Sequence, residues 1–497
     1  MELKIKLLKW SAGIPVAMLN ENTANLIGVK TTGRIFIKTL SKNPGGLSTI
    51  VDIAKTLVKK NEVAISSELK ERLSLKKGQK VDVDLSPAPK SLAFIKKKMN
   101  GEMLSQKEVN EIIKDVVDNS LSEAEIALFI SSMYEKGMNM KETIYLINAI
   151  FHSGKTLKLN LKNKLIADKH SIGGIPGNRT TPIVVSICAA AGLIMPKSSS
   201  RAITAPAGTA DVIETIAKVE FSVKELEKIV KKVGACLIWG GSLEIVPADE
   251  KIISIEKMLN IDPEAQLLAS IMSKKLASGA KYILIDIPYG KTAKVSKEKA
   301  LGLKKKFEFL GKHFNKKMKV VLTRGDEPIG NGIGPVLEIT DIIKVLKQDE
   351  NRPLDLENKS LYLSGELLEL TGKAEKGQGI KLAKQILECG KAFEKFKEII
   401  KAQKGTLDHL KTAKFKKNIL VKRNCQIIGF DNKKINYLGR ITGCPMDKSA
   451  GLYLYRHVGD KLKKGEKIIT IYTESKSRLR EAIEFYKSQK PIIVKNN

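Results

Sequence analysis

The stretch Asp168-Lys169-His170-Ser171-Ile172-Gly173-Gly174-Ile175-Pro176-Gly177-Asn178-Arg179-Thr180-Thr181 stands between a short apolar segment and the apolar run Ile183–Ala191. That run suits a buried helix, so the polar stretch is expected to be a loop feeding a helix N-terminus. Three glycines let the backbone approach a ligand closely, and their N–H groups can form a nest for an anion. The helix would aim its positive end at the same point. Lys169, Ser171 and Thr180 add a charge and two hydroxyls, which makes the stretch a phosphate cradle on physical grounds. It is not a Walker A loop, because Asn178 stands five residues after Gly173 and no Gly-Lys-Ser/Thr follows. The plainer alternative is a glycine-rich turn with solvated polar groups.

Working outward, Ala235–Trp239, Tyr282–Ile287 and Lys319–Thr323 have the composition of buried strands, each followed by glycine or proline and polar residues. This is an α/β signature, with sites expected beyond the carboxyl ends of the strands. A second polar stretch, Lys197-Ser198-Ser199-Ser200-Arg201-Ala202-Ile203-Thr204-Ala205-Pro206-Ala207-Gly208-Thr209-Ala210-Asp211, carries five hydroxyls and two cations before a helix expected near Asp211. Hydroxyls with a planar guanidinium suit a second phosphate, and helix capping is the competing use. In Asn260–Lys275, Asp262 precedes Pro263 as a natural N-cap, and Ser270 and Lys274 share a helix face at i, i+4. Ile285-Asp286-Ile287-Pro288-Tyr289-Gly290-Lys291-Thr292-Ala293-Lys294 leaves a strand at its carboxyl end, where Lys294 can reach an anion.

The flanks differ in pattern. Lys4–Leu8, Arg34–Thr39, Glu62–Ser66 and Lys80–Leu85 predict a β-rich region over 1–85, closed by the linker Ser86-Pro87-Ala88-Pro89-Lys90. Residues 90–160 predict helices: Ser105 is a plausible N-cap, and Val109, Ile112, Ile113 and Val116 fall on one face. The helical stretch Pro263–Leu276 can return to this region, giving it a second piece at about 247–277. The α/β region then spans 163–245 and 280–412, and 414–497 is a small, β-rich α+β domain.

Composition narrows the classes. The chain has 497 residues, 42% hydrophobic and 28% charged, as in soluble globular proteins of several domains. The net charge of +33 is carried mostly by lysines spread along the whole chain, and aromatics are 5%, so a nucleic-acid footprint is disfavoured. Cys188, Cys236, Cys389, Cys425 and Cys444 form no C-x-x-C pair, and the N-terminus MELKIKLLKW has no apolar core. No run approaches the ~20 apolar residues of a membrane span, and a cytoplasmic protein with reduced thiols is expected. Of the five histidines only His170 lies in a motif; no metal-ligand cluster is evident, and no metal or cofactor is expected.

Several segments in order resemble the thymidine/AMP phosphorylase family, the type II nucleoside phosphorylases. They are DKHSxGG at 168–174, Ala-Gly-Thr at 207–209, ASIMSKK at 269–275 and GFDN…DKSAGLYL…GDKLKKGE across 429–466. The N-terminal extension and Ser171–Asn178 are similar to the archaeal AMP phosphorylase branch. The resemblance implies an α/β fold with a helical domain facing a larger α/β domain across a cleft, and a homo-oligomer, at least a dimer. It also implies nucleotide binding by Gly174, Ser200, Arg201, Ala202, Ile203, Thr204, Ala205, Thr209, Ser270, Lys274 and Lys294. Phosphate would be held by Lys169, Ser171, Thr180 and Thr209, with Asp262 as proton donor and His170 as rival acid or electrostatic helper. Pyrimidine-specific members carry an arginine where Ile255 stands and GRGLGHTGG where Ser199–Gly208 stands, which points to a nucleotide with its own 5′-phosphate: AMP, with CMP and UMP also open. Glu327 replaces a glutamine usual in relatives. A pyrimidine nucleoside phosphorylase and a non-catalytic basic RNA- or nucleotide-binding protein remain alternatives.

Overall fold

A computed structural model describes residues 1–8, 10–41, 44–159, 161, 164–203, 205–243, 245–408 and 410–496. The chain divides into two units, Met1–Gly154 with Pro247–Ser270, and Lys155–Val246 with Ile271–Asn497.

The first unit begins with six strands, β1 Glu2–Leu7, β2 Val16–Asn20, β3 Arg34–Thr39, β4 Gly46–Ala54, β5 Glu62–Ile65 and β6 Lys80–Leu85. They close a barrel in the order β1-β5-β2-β4-β3-β6, which leaves no open sheet edge. Alternating residues fill it: Leu3, Ile5, Ile35, Ile37, Val63, Ile65, Val81 and Val83 are all buried. β2 and β4 were not expected. β2 is short and runs straight into the helix Glu21–Ile27, while β4 breaks up its apolar residues with Ser48, Thr49 and Asp52, although Val51 reaches the core and Leu47 and Ile53 pack against it.

Helices Ser91–Met99, Gln106–Val117, Glu123–Lys136 and Met140–His152 follow. Three start with reciprocal caps, Ser105 with Glu108, Ser122 with Glu125 and Asn139 with Glu142. The predicted stripe of Val109, Ile112, Ile113 and Val116 is buried. Pro247–Leu259 packs on Gln106–Val117 and Glu123–Lys136, with Ile255 buried in that contact layer.

In the second unit, β7 Ala167–Ser171, β8 Met195–Ser199, β9 Ala235–Trp239, β10 Tyr282–Tyr289 and β11 Lys317–Arg324 run parallel. Their order is β11-β10-β7-β8-β9, with β7 and β8 joined by the Ile166–Ile194 bridge. The chain therefore builds outward from β7 to one side, then returns to build on the other. In open α/β sheets such a reversal marks where ligand sites are expected, here at the carboxyl end of β7. β7 and β8 correct the expectation of loops at 168–171 and 197–199. Polar strand residues are tolerated there because buried charge partners meet them from neighbouring elements.

Helix Thr180–Ala190 is buried almost throughout, beneath the helices Leu354–Leu370, Gly379–Glu388 and Lys391–Ala402. Leu363, Leu367, Phe396 and Ile399 belong to this core. The C-terminal part combines a four-stranded and a three-stranded sheet with helices Asn432–Ile441 and Lys476–Gln489, and it incorporates the short strand Gly332–Ile333 from upstream. The whole is a helical bundle and an α/β domain with a β-rich N-terminal region and a small α+β C-terminal domain.

Candidate active site

Strand alternation divides the DKHS tetrapeptide between two faces of β7. Lys169 and Ser171 share one face. The Lys169 side chain is fully buried, and its Nζ donates to Thr180 Oγ1 at 2.7 Å, Ser171 Oγ at 3.0 Å and Thr181 Oγ1 at 3.4 Å. Ser171 donates to Asp286 Oδ2, Thr323 donates to Asp286 Oδ1 at 2.6 Å, and Lys359 Nζ lies 3.5 Å from Asp286 Oδ2. Burial pushes the Asp286 carboxyl up, but the charges of Lys359 and Lys169 and the two hydroxyls outweigh it and hold it below the usual range. Burial, reinforced by Lys359, Lys197 and Arg179 against the pull of Asp286, lowers the Lys169 ammonium to about 7. A buried cation ringed by hydroxyls at a strand terminus has the chemistry to hold a phosphate dianion.

Asp168 and His170 occupy the other face. Asp168 accepts from Lys275 Nζ at 2.6 Å and lies 3.6 Å from Lys197 Nζ. Burial brings Lys275 down to about 7 despite Asp168. Burial and then Lys275, Lys197, Lys274 and Lys169 hold His170 well below the ordinary histidine range, so the ring is neutral at pH 7. An imidazole whose protonated form is disfavoured by burial and by neighbouring lysines is a poor proton donor.

The 198–209 loop is organised by Asp211, whose Oδ2 accepts from Ala202 N at 2.7 Å and Gly208 N at 2.8 Å. Gly208 is required there: a Cβ would meet Ser200 O and the Arg201 carbonyl carbon at 2.5 Å. Arg201 turns to carboxylates, donating to both Glu214 oxygens at 2.8 Å, to Glu220 at 3.0 Å and to Asp211 at 3.3 Å, with its guanidinium 4.7 Å from the Trp239 ring centre. Thr209 opens the short helix Thr209–Ile213 and accepts from Arg179 Nη1 at 3.3 Å, which ties this loop to the Thr180 helix. Arg179 is itself held by Glu338 at 2.5 Å and Ala207 O at 2.8 Å. Thr204 lies outside the described residues.

Gly174, at φ +90°, packs on Lys294: a Cβ would lie 3.0 Å from Lys294 Cβ, so two expected nucleotide contacts adjoin. Lys274 is buried in the Glu264–Ala277 helix. In the first unit, Asp262 is exposed just before that helix, and Ser270 donates to buried Asp249 at 3.0 Å, which also accepts from Gln266. Glu327 accepts from Val458 N at 2.9 Å and faces His457 Nδ1 at 3.2 Å. Burial lowers the His457 imidazole, but Glu327, Asp355 and Asp460 outweigh it and raise it.

Asp286, Thr323, Lys359, Lys197, Lys275 and Arg179 join the site without having been singled out as binding residues. Asp286 had a readable signal, a lone carboxylate in the apolar strand Tyr282–Tyr289. Lys359 had none, because its helix is distant in sequence. Among the described residues no group of three or more His, Cys, Asp or Glu is placed to hold a metal ion.

The chain matches the helical bundle domain of the glycosyl transferase family over residues 92–154, the a/b domain of that family over 163–393 and the pyrimidine nucleoside phosphorylase C-terminal domain over 431–492. It is 44% identical over 497 residues to the AMP phosphorylase of Pyrococcus abyssi, covering 99% of this chain and 97% of that protein. It is 40% identical to the AMP phosphorylase of Thermococcus kodakarensis and 39% identical to that of Methanococcus vannielii, with the same coverages. Anthranilate phosphoribosyltransferase from Thermus thermophilus shares the fold, with a TM-score of 0.52 at 17% identity over 62% of this chain and 99% of that one. Full-length similarity of this order, with the three domains matched in sequence, makes the chain a member of the AMP phosphorylase family, an enzyme of the glycosyl transferase class.

Proposed function

We propose that this enzyme cleaves the N-glycosidic bond of AMP with inorganic phosphate, releasing adenine and ribose 1,5-bisphosphate. The observation that carries the reading is the buried Lys169 ammonium, ringed by Ser171, Thr180 and Thr181 where the sheet reverses its order. Phosphate held there attacks C1′ as the base departs through a transition state with oxocarbenium character. Fixing the two reactants in line supplies ~7–11 kcal/mol of the barrier reduction. Gly174, Ser200, the 201–205 segment, Thr209, Ser270, Lys274 and Lys294 hold the nucleotide. Arg201 serves there by shaping the loop, since its donors are engaged by Glu214, Glu220 and Asp211. Asp262 protonates the departing adenine at N7 in this reading, and His170 is the less suited donor.

We place the enzyme in the cytoplasm as a homo-oligomer, at least a dimer. Five free cysteines fit a reducing compartment, and among the described residues no helix is long and apolar enough to cross a membrane. The decisive experiment measures free-base release from AMP, CMP, UMP, adenosine and thymidine, with and without phosphate. AMP is expected to lead, and only with phosphate; preference for thymidine, or release without phosphate, defeats the reading. Asp262→Asn is expected to lower AMP turnover ~10²–10⁴-fold, and near-normal turnover removes Asp262 from the acid role.

A further inference from the structure

One face of the helix Asn432–Ile441, in the C-terminal part, touches four separate loops of the α/β domain. Asn432 Nδ2 donates to Gly325 O at 2.9 Å, and Asn432 N donates to Thr292 Oγ1 at 3.2 Å. One turn on, Asn436 Nδ2 donates to Gly174 O at 3.0 Å. Another turn on, Gly439 lies so close to Pro206 that a Cβ would sit 2.5 Å from its Cγ, and Arg440 Nη2 donates to Ile203 O at 2.6 Å. Positions 432, 436 and 439–440 fall on one side of a helix by its 3.6-residue period. The side-chain donors of Asn432, Asn436 and Arg440 meet the backbone carbonyls of Gly325, Gly174 and Ile203, which fixes where those three loops lie without depending on their side chains. The helix is itself anchored: Asp431 caps it, and Ile435 and Leu438 lie in the C-terminal core.

We propose that this helix is a positioning element for the nucleotide site, with Asn436 and Arg440 as positioning residues that set the Gly174 and Ile203 backbones in register. The inference rests on the reading that these two loops bind AMP. It assigns to the C-terminal domain a part in substrate affinity, exerted through main-chain geometry. Burial supports Asn436 in particular: it is 7% exposed and held by a bond to a loop carbonyl, so its loss frees a segment that has glycine at 173, 174 and 177.

The test compares Asn436→Ala, Arg440→Ala and Gly439→Ala with wild type, and uses Asn436→Gln as a longer carboxamide. Asn436→Ala and Arg440→Ala are each expected to raise KM for AMP about fivefold to tenfold, the scale of one lost hydrogen bond, and Gly439→Ala, which drives a Cβ against Pro206, to raise it in the same direction, with kcat and KM for phosphate within about twofold. Asn436→Gln is expected to recover part of the loss. In substrate-free protein, hydrogen exchange is expected to quicken in 172–178 and 200–208, with the thermal midpoint little changed. Unaltered exchange in both segments overturns the positioning role whatever the substrate proves to be. Equal rises in all kinetic constants, or a lowered midpoint with exchange raised everywhere, also overturn it by showing a merely structural effect. Wild-type protein inert toward AMP and phosphate defeats the functional reading alone, and the exchange result still judges the helix.

Discussion

Two charged clusters of the α/β domain contain similar side chains and reach opposite electrostatic ends. At the β7 terminus, Lys169, Lys359, Lys197 and Lys275 face Asp168 and Asp286, with Asp355 acting on Lys359 as well, so cations outnumber carboxylates among these residues. In the neighbouring loop, Arg201 and Lys448 meet three, Asp211, Glu214 and Glu220. The first cluster is buried and short of negative charge, so Lys169 and Lys275 both fall to about 7. In the second, the Arg201 hydrogen bonds hold Glu214 at about 2 and raise the guanidinium above its usual range. An entering dianion supplies what the first cluster lacks and has to compete with carboxylates in the second. Density of positive residues along the chain therefore says less about anion binding than the balance of partners in space.

The comparison is broken most severely by Asp286→Asn. It leaves Lys169 and Lys359 without their shared counter-charge, and unfolding stability in denaturant titration is expected to drop ~3–5 kcal/mol. A loss under about 1 kcal/mol would show that neither lysine relies on it.

Lys169→Met is expected to lower kcat/KM for phosphate ~10²–10³-fold, as when one preorganised donor is removed from developing or bound anionic charge. Unfolding stability should hold or improve, because a buried cation goes with it. Unchanged phosphate kinetics would move the anion elsewhere.

The pH dependence sharpens the same contrast. Lys169 and Lys275 titrate near 7 when folded and near 10.5 when exposed. The unfolded chain then binds more protons between those values, so this pair makes stability rise with pH from about 7 to about 10. Affinity for sulfate, which stays dianionic throughout, is expected to change the other way, weakening up to about tenfold per pH unit above 7. Competition by sulfate against phosphate from pH 6 to 9 reads this directly, and Lys169→Arg should flatten the slope.

Arg201→Lys has the smallest expected effect. KM for AMP should rise about threefold to tenfold as the forked contacts to Glu214 and Glu220 are lost, while KM for phosphate stays within about twofold. A larger rise for phosphate than for AMP would show that the loop Arg201 shapes serves the phosphate instead.

Much of the architecture was legible in local pattern. Ser105 and the apolar stripe of Gln106–Val117 announced a helix, and the runs at 235, 282 and 319 announced three strands of the α/β sheet. Strands β7 and β8 were not legible, because charged and hydroxyl residues fill them and their partners lie on other elements. The barrel's closure was equally hidden, since two of its strands lack a clear alternation.

The site followed the same division. Residue types and short-range spacing, set by hydrogen-bonding capacity and backbone freedom, sufficed to single out Lys169, Ser171 and Thr180, which the structure brings into contact. What those side chains face was decided by the sheet order, which brings Asp286 and Thr323 beside Ser171, and by helix packing, which delivers Lys359 and Asn436 from far along the chain. Only three-dimensional proximity fixes charge compensation, because electrostatic energy depends on distance and burial and carries no trace of sequence separation.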